Sequence, residues 1–283
     1  MSEALATGTG VAKASAAETA ADDNDRYLVP GLMRGLALLE AFSAEQQSLS
    51  LADLSKAVGL PRSSVFRLAY TLTDMGFLIR DDAAKTYRLG ARVLGLGFTY
   101  LASQELIEVA RPRLEALSDR THCSAHLGVL EGTEIVYLAR FAVDSAMTSG
   151  IRVGARLPAH ATSIGRAILS QLPHDTLRSI FAQTPLAAFT EQTATTLDAL
   201  QRQATKDAAR GFALSHSAFE TGIASVAAPV FGSDGKVVAA INVTTPETAV
   251  QAGDLEGRIA DVVLSTAEEI SSWLGYPGRK RTA

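Results

Sequence analysis

Residues 50–77, SLADLSKAVGLPRSSVFRLAYTLTDMGF, contain two helix-like patterns separated by Gly59-Leu60-Pro61. Leu51, Leu54 and Val58 fall on one face of the first, and Val65, Leu68, Ala69 and Leu72 recur at intervals of three and four in the second. Gly59 is placed to end a helix, and Pro61 suits the first turn of the next, where its missing N–H is not needed. Before this pair, Leu32, Leu36, Leu39 and Phe42 recur at helical spacing from Pro30 onward. After Gly76 the period changes to two: Phe77 and Ile79 alternate up to Asp81-Asp82, and Tyr87 and Leu89 return, which predicts a β-hairpin. Helix, helix, tight turn, helix, hairpin is the order of a winged helix-turn-helix.

Burying the 65/68/69/72 face leaves Arg62, Ser63, Ser64, Arg67, Tyr70 and Thr71 outside, with Ser63, Arg67 and Thr71 four apart on one exposed face. Guanidinium and hydroxyl groups near a helix N-terminus fit the major groove: Arg reads guanine bidentately, and Ser and Thr contact phosphates or bases. Arg80, Lys85 and Arg88 on the hairpin would lie against the neighbouring phosphate backbone. Charge agrees with this. The first 25 residues hold one Lys against five acids, and residues 26–100 hold nine Lys or Arg against six acids, within a chain of net −4. A basic block inside an acidic protein points to an anionic partner for that block. An ordinary solvated helix pair is the competing reading of the same pattern.

The 283 residues are enough for two domains. Residues 1–25, mostly small or acidic, are expected to be a disordered tail, since they cannot bury enough surface to offset ordering entropy. The winged domain is placed at 26–90, a linker helix at 91–104, a second domain at 105–277 and a basic tail at 278–283. Leu94, Phe98 and Leu101 form an apolar stripe on the linker helix, a surface for pairing with a second subunit or with the winged domain of its own chain. Beyond it the pattern gives a helix at 105–119, strands near 122–130, 134–141 and 150–156, and a helix from Ser163. Further helices are expected at 174–182 and 196–210, strands near 212–217, 225–231 and 236–244, and a last helix at 253–273. This is an α+β domain with an antiparallel sheet. No apolar run is long enough for a membrane span, and the N-terminus lacks a signal-peptide pattern. The single cysteine, Cys123, excludes an internal disulfide and fits a reducing cytoplasm.

In 157–170, LPAHATSIGRAILS, Thr162 or Ser163 can cap a helix whose start favours a carboxylate; a plain cap is the alternative. Asn242 and Thr244 share a strand face, and Leu127 and Val129, alternating with His126 and Gly128, are expected to form an apolar wall. His122, Cys123 and His126, with His160 or His216, match no common zinc spacing and are read as core or pocket residues, with no metal or cofactor expected. A small-molecule hydrolase with an appended helical domain, or a non-DNA interaction module, is the rival class, yet the chain carries no P-loop, no Gly-x-Ser-x-Gly elbow and no complete dinucleotide fingerprint.

The chain resembles the IclR family of bacterial transcription regulators. The resemblance runs through RGLALLEAFS, LSLADLSKAVGLPRSSVFRLAYTL, GFLIRDDAAKTYRLG and RVLGLG, and continues in ELIEVARPRLEALSDRT, GTEIVYLAR, RVGARLPAHATSIGRAIL, GFALSHSAFETGIASVAAPVF and GKVVAAINVT, covering about 28–275. It implies a DNA-binding domain joined by a helix to a GAF-like effector-binding domain, acting as a homodimer or dimer of dimers on palindromic promoter DNA. It also implies effector contacts at Ser163, Ile164, Gly165, Ser215, Ser225, Asn242 and Thr244. Where many relatives have Cys and Asp, this chain has Ser225 and Ser215. The less charged pocket points away from the smallest keto acids, and hydroxyls with apolar walls suit a small organic acid of aromatic, benzoate-like type or its neutral relative.

Overall fold

In the computed structural model, residues 27–43, 46–102, 105–143, 151–251 and 253–278 are described, without the side chains of 98–102. The tail expected at 1–25 and residues 279–283 of the basic tail lie outside the described residues, as do the side chains of Phe98 and Leu101. The chain divides into two compact units, residues 1–100 and 101–283.

The first unit runs α1 (Pro30–Glu40), β1 (Leu49–Ser50), α2 (Leu51–Val58), α3 (Arg62–Asp74), β2 (Leu78–Asp81), β3 (Thr86–Leu89), and α4 (Arg92–Ala102) leaves it. Ser50 starts α2 with a capping box: its hydroxyl accepts from the Asp53 N–H, and the Asp53 carboxylate accepts from the Ser50 N–H. Gly59 ends α2 at φ +65°, a left-handed conformation that glycine adopts without strain. The Ser55 hydroxyl donates to the Leu60 carbonyl, locking the turn into α3. Leu38, Leu49, Leu54, Val65, Ala69, Leu78 and Tyr87 make the core.

Three expectations need correction here. On α1 the buried residue is Leu38, while Leu32 and Leu36 are exposed. In the hairpin Leu78 and Tyr87 are buried, and Ile79 and Leu89 are exposed; Phe77 precedes the strand, with the Arg92 guanidinium 5.2 Å over its ring. A two-residue strand, β1, pairs with β3 and gives a three-stranded sheet of order β1-β3-β2.

The second unit comprises α5 (Glu105–Thr121), β4 (Ser124–Glu131), β5 (Glu134–Phe141), β6 (Arg156–Pro158), α6 (Ser163–Leu169), α7 (His174–Ile180), α8 (Leu197–Arg210), β7 (Ala213–His216), β8 (Ile223–Phe231), β9 (Val237–Pro246) and α9 (Ala260–Trp273). Its strands form one antiparallel sheet of order β6-β5-β4-β9-β8-β7. Both faces are covered. Ala125 and Leu127 of β4, Val226 and Ala228 of β8 and Ile241 and Val243 of β9 pack with Leu114 and Leu117 of α5 and Val263 and Ile270 of α9. Ile135 and Tyr137 of β5, Ala227 of β8 and Ala240 of β9 pack with Ile164 and Ile168 of α6, Leu177 of α7 and Leu200 of α8. The third strand is shorter and later than the alternation predicts, because Gly154 turns the chain at φ +86° just before it. The last helix begins at Ala260, since Gly257 leaves helical geometry inside a π-turn at Leu255–Ile259.

Candidate nucleic-acid interface and ligand cavity

Packing of Val65 and Ala69 into the first core turns the opposite face of α3 outward. Arg62, Ser63, Arg67, Tyr70 and Thr71 are exposed on it and Ser64 is half-buried. The Thr71 hydroxyl donates to the Arg67 carbonyl at 3.0 Å, so its proton is committed within the helix. Phe66 adds an exposed ring, 6.3 Å from that of Tyr70, which the periodicity did not single out. On the hairpin Arg80, Lys85 and Arg88 are exposed; Lys85 sits in the tight turn at φ +54°, and Arg80 pairs with Asp82 at 2.9 Å. This unit therefore presents guanidinium, hydroxyl and aromatic groups on one short helix flanked by a basic hairpin.

In the second unit, strand register creates a row of hydroxyls. Ser124 lies opposite Thr244, Thr244 opposite Ser225, and Ser225 opposite Ser215, across β4, β9, β8 and β7. One row further along, His126 faces Asn242, whose other neighbour is Ala227. Above this polar part of the sheet lies the start of α6. Thr162 caps it, accepting from the Gly165 N–H at 3.3 Å. Between them is a small cavity of about 40 Å³, partly open to solvent, that brings Ser163, Ser215, Ser225, Asn242 and Thr244 together. Its apolar walls are Tyr137, Ile151, Leu157, Phe219 and Ile223, and Glu220 also lines it.

Four of the residues singled out from sequence do not line this cavity. Leu127 and Val129 face the opposite side of the sheet, against α5 and α9. Ile164 is fully buried in the α6 core, and a β-carbon on Gly128 would come within 3.1 Å of its Cγ2. Gly165 serves close packing: a β-carbon there would meet the Ala159 carbonyl oxygen at 2.1 Å. His122 precedes β4 in a left-handed, exposed conformation, so it shares no strand face with His126. Cys123 is buried, and desolvation pushes its thiol up, away from thiolate chemistry. His160 binds the Ala187 carbonyl at 2.9 Å. Among the described residues no three His, Cys, Asp or Glu side chains are grouped to hold a metal ion.

Several features here have no sequence signal of their own. His126, fully buried, binds the Asn242 amide oxygen through Nδ1 at 3.0 Å, and Asn242 donates to Ser163 Oγ at 3.0 Å. Burial holds the His126 imidazole at about 4, far below its usual 6.5, because nothing compensates the charge; the Asn242 contact opposes this and Arg140 reinforces it. Burial also pushes the Tyr137 phenol up. The 217–222 loop, which supplies Phe219 and Glu220, is fastened from the 181–196 segment: Thr190 and Thr193 donate to the carbonyls of Ser217 and Ala218 at 2.6 and 2.7 Å, and Phe189 lies 4.9 Å from Phe219.

A winged helix-turn-helix unit and an α+β unit with a partly open cavity of hydroxyls and apolar walls define a ligand-sensing DNA-binding regulator. Residues 31–82 match the IclR helix-turn-helix domain, and residues 98–272 the C-terminal domain of bacterial transcriptional regulators of the IclR type. The chain is 34% identical over 247 residues to the Pca regulon regulatory protein of Pseudomonas putida, covering 87% of this chain and 84% of that protein. Among solved structures it is similar to a transcriptional regulator of Rhodococcus sp. RHA1, with 38% identity, a TM-score of 0.77, and coverage of 87% of this chain and 98% of that one. It is also similar to an IclR homologue of Microbacterium hydrocarbonoxydans solved with 4-hydroxybenzoate, with 26% identity, a TM-score of 0.74, and coverage of 86% and 98%. The chain belongs to the IclR family of bacterial transcriptional regulators.

Proposed function

We propose that this chain controls a catabolic operon by binding palindromic promoter DNA, and that a small aromatic acid of the hydroxybenzoate type sets its affinity for that DNA. The observation that carries this is the cavity: hydroxyls of Ser215, Ser225 and Thr244 on the sheet, Ser163 above them, and walls of Tyr137, Phe219, Ile151 and Leu157. Polar groups of this kind buried without a partner cost about 1–3 kcal/mol each, so a ligand that bonds them while stacking a ring on the walls is stabilised twice. The carboxylate is assigned to the α6 start and Ser163; a ring hydroxyl can then donate to the sheet hydroxyls or to Glu220. The relatives support the class, since one is a regulator of the Pca regulon and another was solved with 4-hydroxybenzoate.

On the DNA side, residues 26–90 form the reading domain, with Arg62, Ser63, Ser64, Arg67, Tyr70 and Thr71 in the groove and Arg80, Lys85 and Arg88 on phosphates. Residues 91–104 link it to the effector domain at 105–277. A homodimer joined through α4 would place two reading helices on two half-sites. Leu94 on that helix is 62% exposed, as such a seam requires.

A thermal-shift screen of hydroxybenzoates, dihydroxybenzoates, phenylacetates, pyruvate and glyoxylate at millimolar concentration tests the effector, since a ligand of the folded state raises its melting temperature. A ring acid should give the largest rise, and Ser225→Leu should remove it. Stabilisation by uncharged compounds alone would overturn the assignment.

A further inference from the structure

The row formed by His126, Asn242 and Ser163 reaches from the middle of the sheet to the cavity, which Asn242 and Ser163 line and His126 does not. All three are at least 97% buried, so water cannot satisfy them and each polarity must be met by a neighbour. Asn242 presents its oxygen to His126 Nδ1 and its NH₂ to Ser163 Oγ. An amide oxygen accepts only, so Nδ1 carries the ring proton and Nε2 is a bare lone pair, which has no partner among the described residues. The NH₂ fills a lone pair of Ser163 Oγ. Among the described residues no acceptor takes the Ser163 proton, which leaves it for the cavity.

The alternative arrangement reverses every bond. Asn242 would donate to Nδ1, Ser163 would donate to Asn242, the cavity would meet a Ser163 lone pair, and His126 would carry a buried Nε2–H with no acceptor. Orphaned buried N–H groups are rarer than under-used acceptors, which favours the arrangement present. A charged imidazolium donates from both nitrogens, so it would hold the same orientation of Asn242 but add an orphaned Nε2–H, and the burial of His126 disfavours it.

We propose that His126 is a specificity-determining positioning residue: by holding its proton on Nδ1 it fixes the Asn242 amide, so that Ser163 faces the cavity as a hydrogen-bond donor and the site selects ligands with an acceptor oxygen at that point. This deepens the effector reading above and rests on it for the ligand class. It makes the choice between an acid and a neutral alcohol depend on a ring that never touches the ligand.

The test has two arms on the full-length protein. In the first, ¹⁵N NMR of histidine-labelled protein without ligand reads the His126 tautomer directly; a neutral ring with the proton on Nδ1 is expected, and a proton on Nε2 overturns the proposal. In the second, benzoate and benzyl alcohol are titrated by calorimetry into wild type and into His126→Phe, which keeps a ring in the apolar layer. The preference for benzoate should fall about tenfold in the variant, the scale of one charge-assisted hydrogen bond. An unchanged preference overturns the proposal even if the tautomer is as expected. If neither compound binds wild type, the aromatic-acid reading fails, and the first arm still decides the orientation of the relay.

Discussion

The Arg166 guanidinium on α6 grips the Asp207 carboxylate on α8 with three contacts, Nε to Oδ2 at 3.0 Å and Nη2 to Oδ1 and Oδ2 at 3.0 and 2.9 Å. Both side chains are buried, and Gln203 donates a further bond to Asp207 at 3.2 Å. Burial raises the Asp207 carboxyl while Arg166 opposes the rise. Since Arg166 stands one turn after Ser163, the pair fixes the helix that roofs the cavity.

Removing one partner leaves an uncompensated charge in the interior. Asp207→Ala is therefore expected to destabilise the second unit by about 3–5 kcal/mol, read as the shift of a urea unfolding curve at constant slope. A double substitution, Arg166→Met with Asp207→Leu, should recover most of that loss, because an apolar pair of similar volume carries no desolvation penalty.

Titration of His126 gives the second unit an acid limb. Its folded value of about 4 lies below the unfolded 6.5, so the unfolded chain binds the extra proton and stability is lost as pH falls from about 6.5 towards 4. At 1.36 kcal/mol per pH unit the full loss is about 3 kcal/mol. In His126→Phe this part of the pH dependence should vanish, measured by thermal unfolding between pH 7 and pH 4.

How far these features could be read beforehand follows from their range along the chain. The α2–turn–α3 unit is written locally in Ser50, Gly59 and Pro61, and its boundaries were legible. The wing register slipped by one because Phe77, the first apolar residue after Gly76, lies beneath Arg92 and is not yet part of β2. For Leu127 and Val129 alternation alone carries no sign for the cavity side, since both faces of β4 are covered by helices, and a bulge at Leu127/Gly128 disturbs the period further. Ser215, Ser225, Asn242 and Thr244 came from family resemblance; their common cavity depends on the pairing of β7, β8 and β9. The Arg166–Asp207 pair spans 41 residues and left one trace, an arginine inside the apolar run SIGRAIL.

On the DNA face, Arg67→Ala should weaken operator binding by about 1–3 kcal/mol and relax preference at one base position, the effect of a lost bidentate base contact. Arg88→Ala should instead weaken all DNA about equally and lower the salt slope. Fluorescence anisotropy against operator and scrambled DNA at several salt concentrations distinguishes the two.

For assembly, Leu94→Glu places a charge at the exposed Leu94 of α4 and should shift sedimentation towards monomer while the melting temperature of the protein holds. The same variant should lose operator binding, since two half-sites are then read by independent domains. A Leu94→Glu protein that sediments as wild type would take α4 out of the interface.

The most direct measurement of the account is a gel-shift titration of the chain against its own upstream DNA, with and without millimolar 4-hydroxybenzoate, in wild type and Ser225→Leu. The account predicts a sequence-preferring, salt-sensitive complex at sub-micromolar protein whose affinity changes at least about fivefold with the acid, the lower end of allosteric coupling, and an unresponsive complex of equal basal affinity in Ser225→Leu. An operator affinity indifferent to every ring acid, or a response that survives Ser225→Leu, would contradict it.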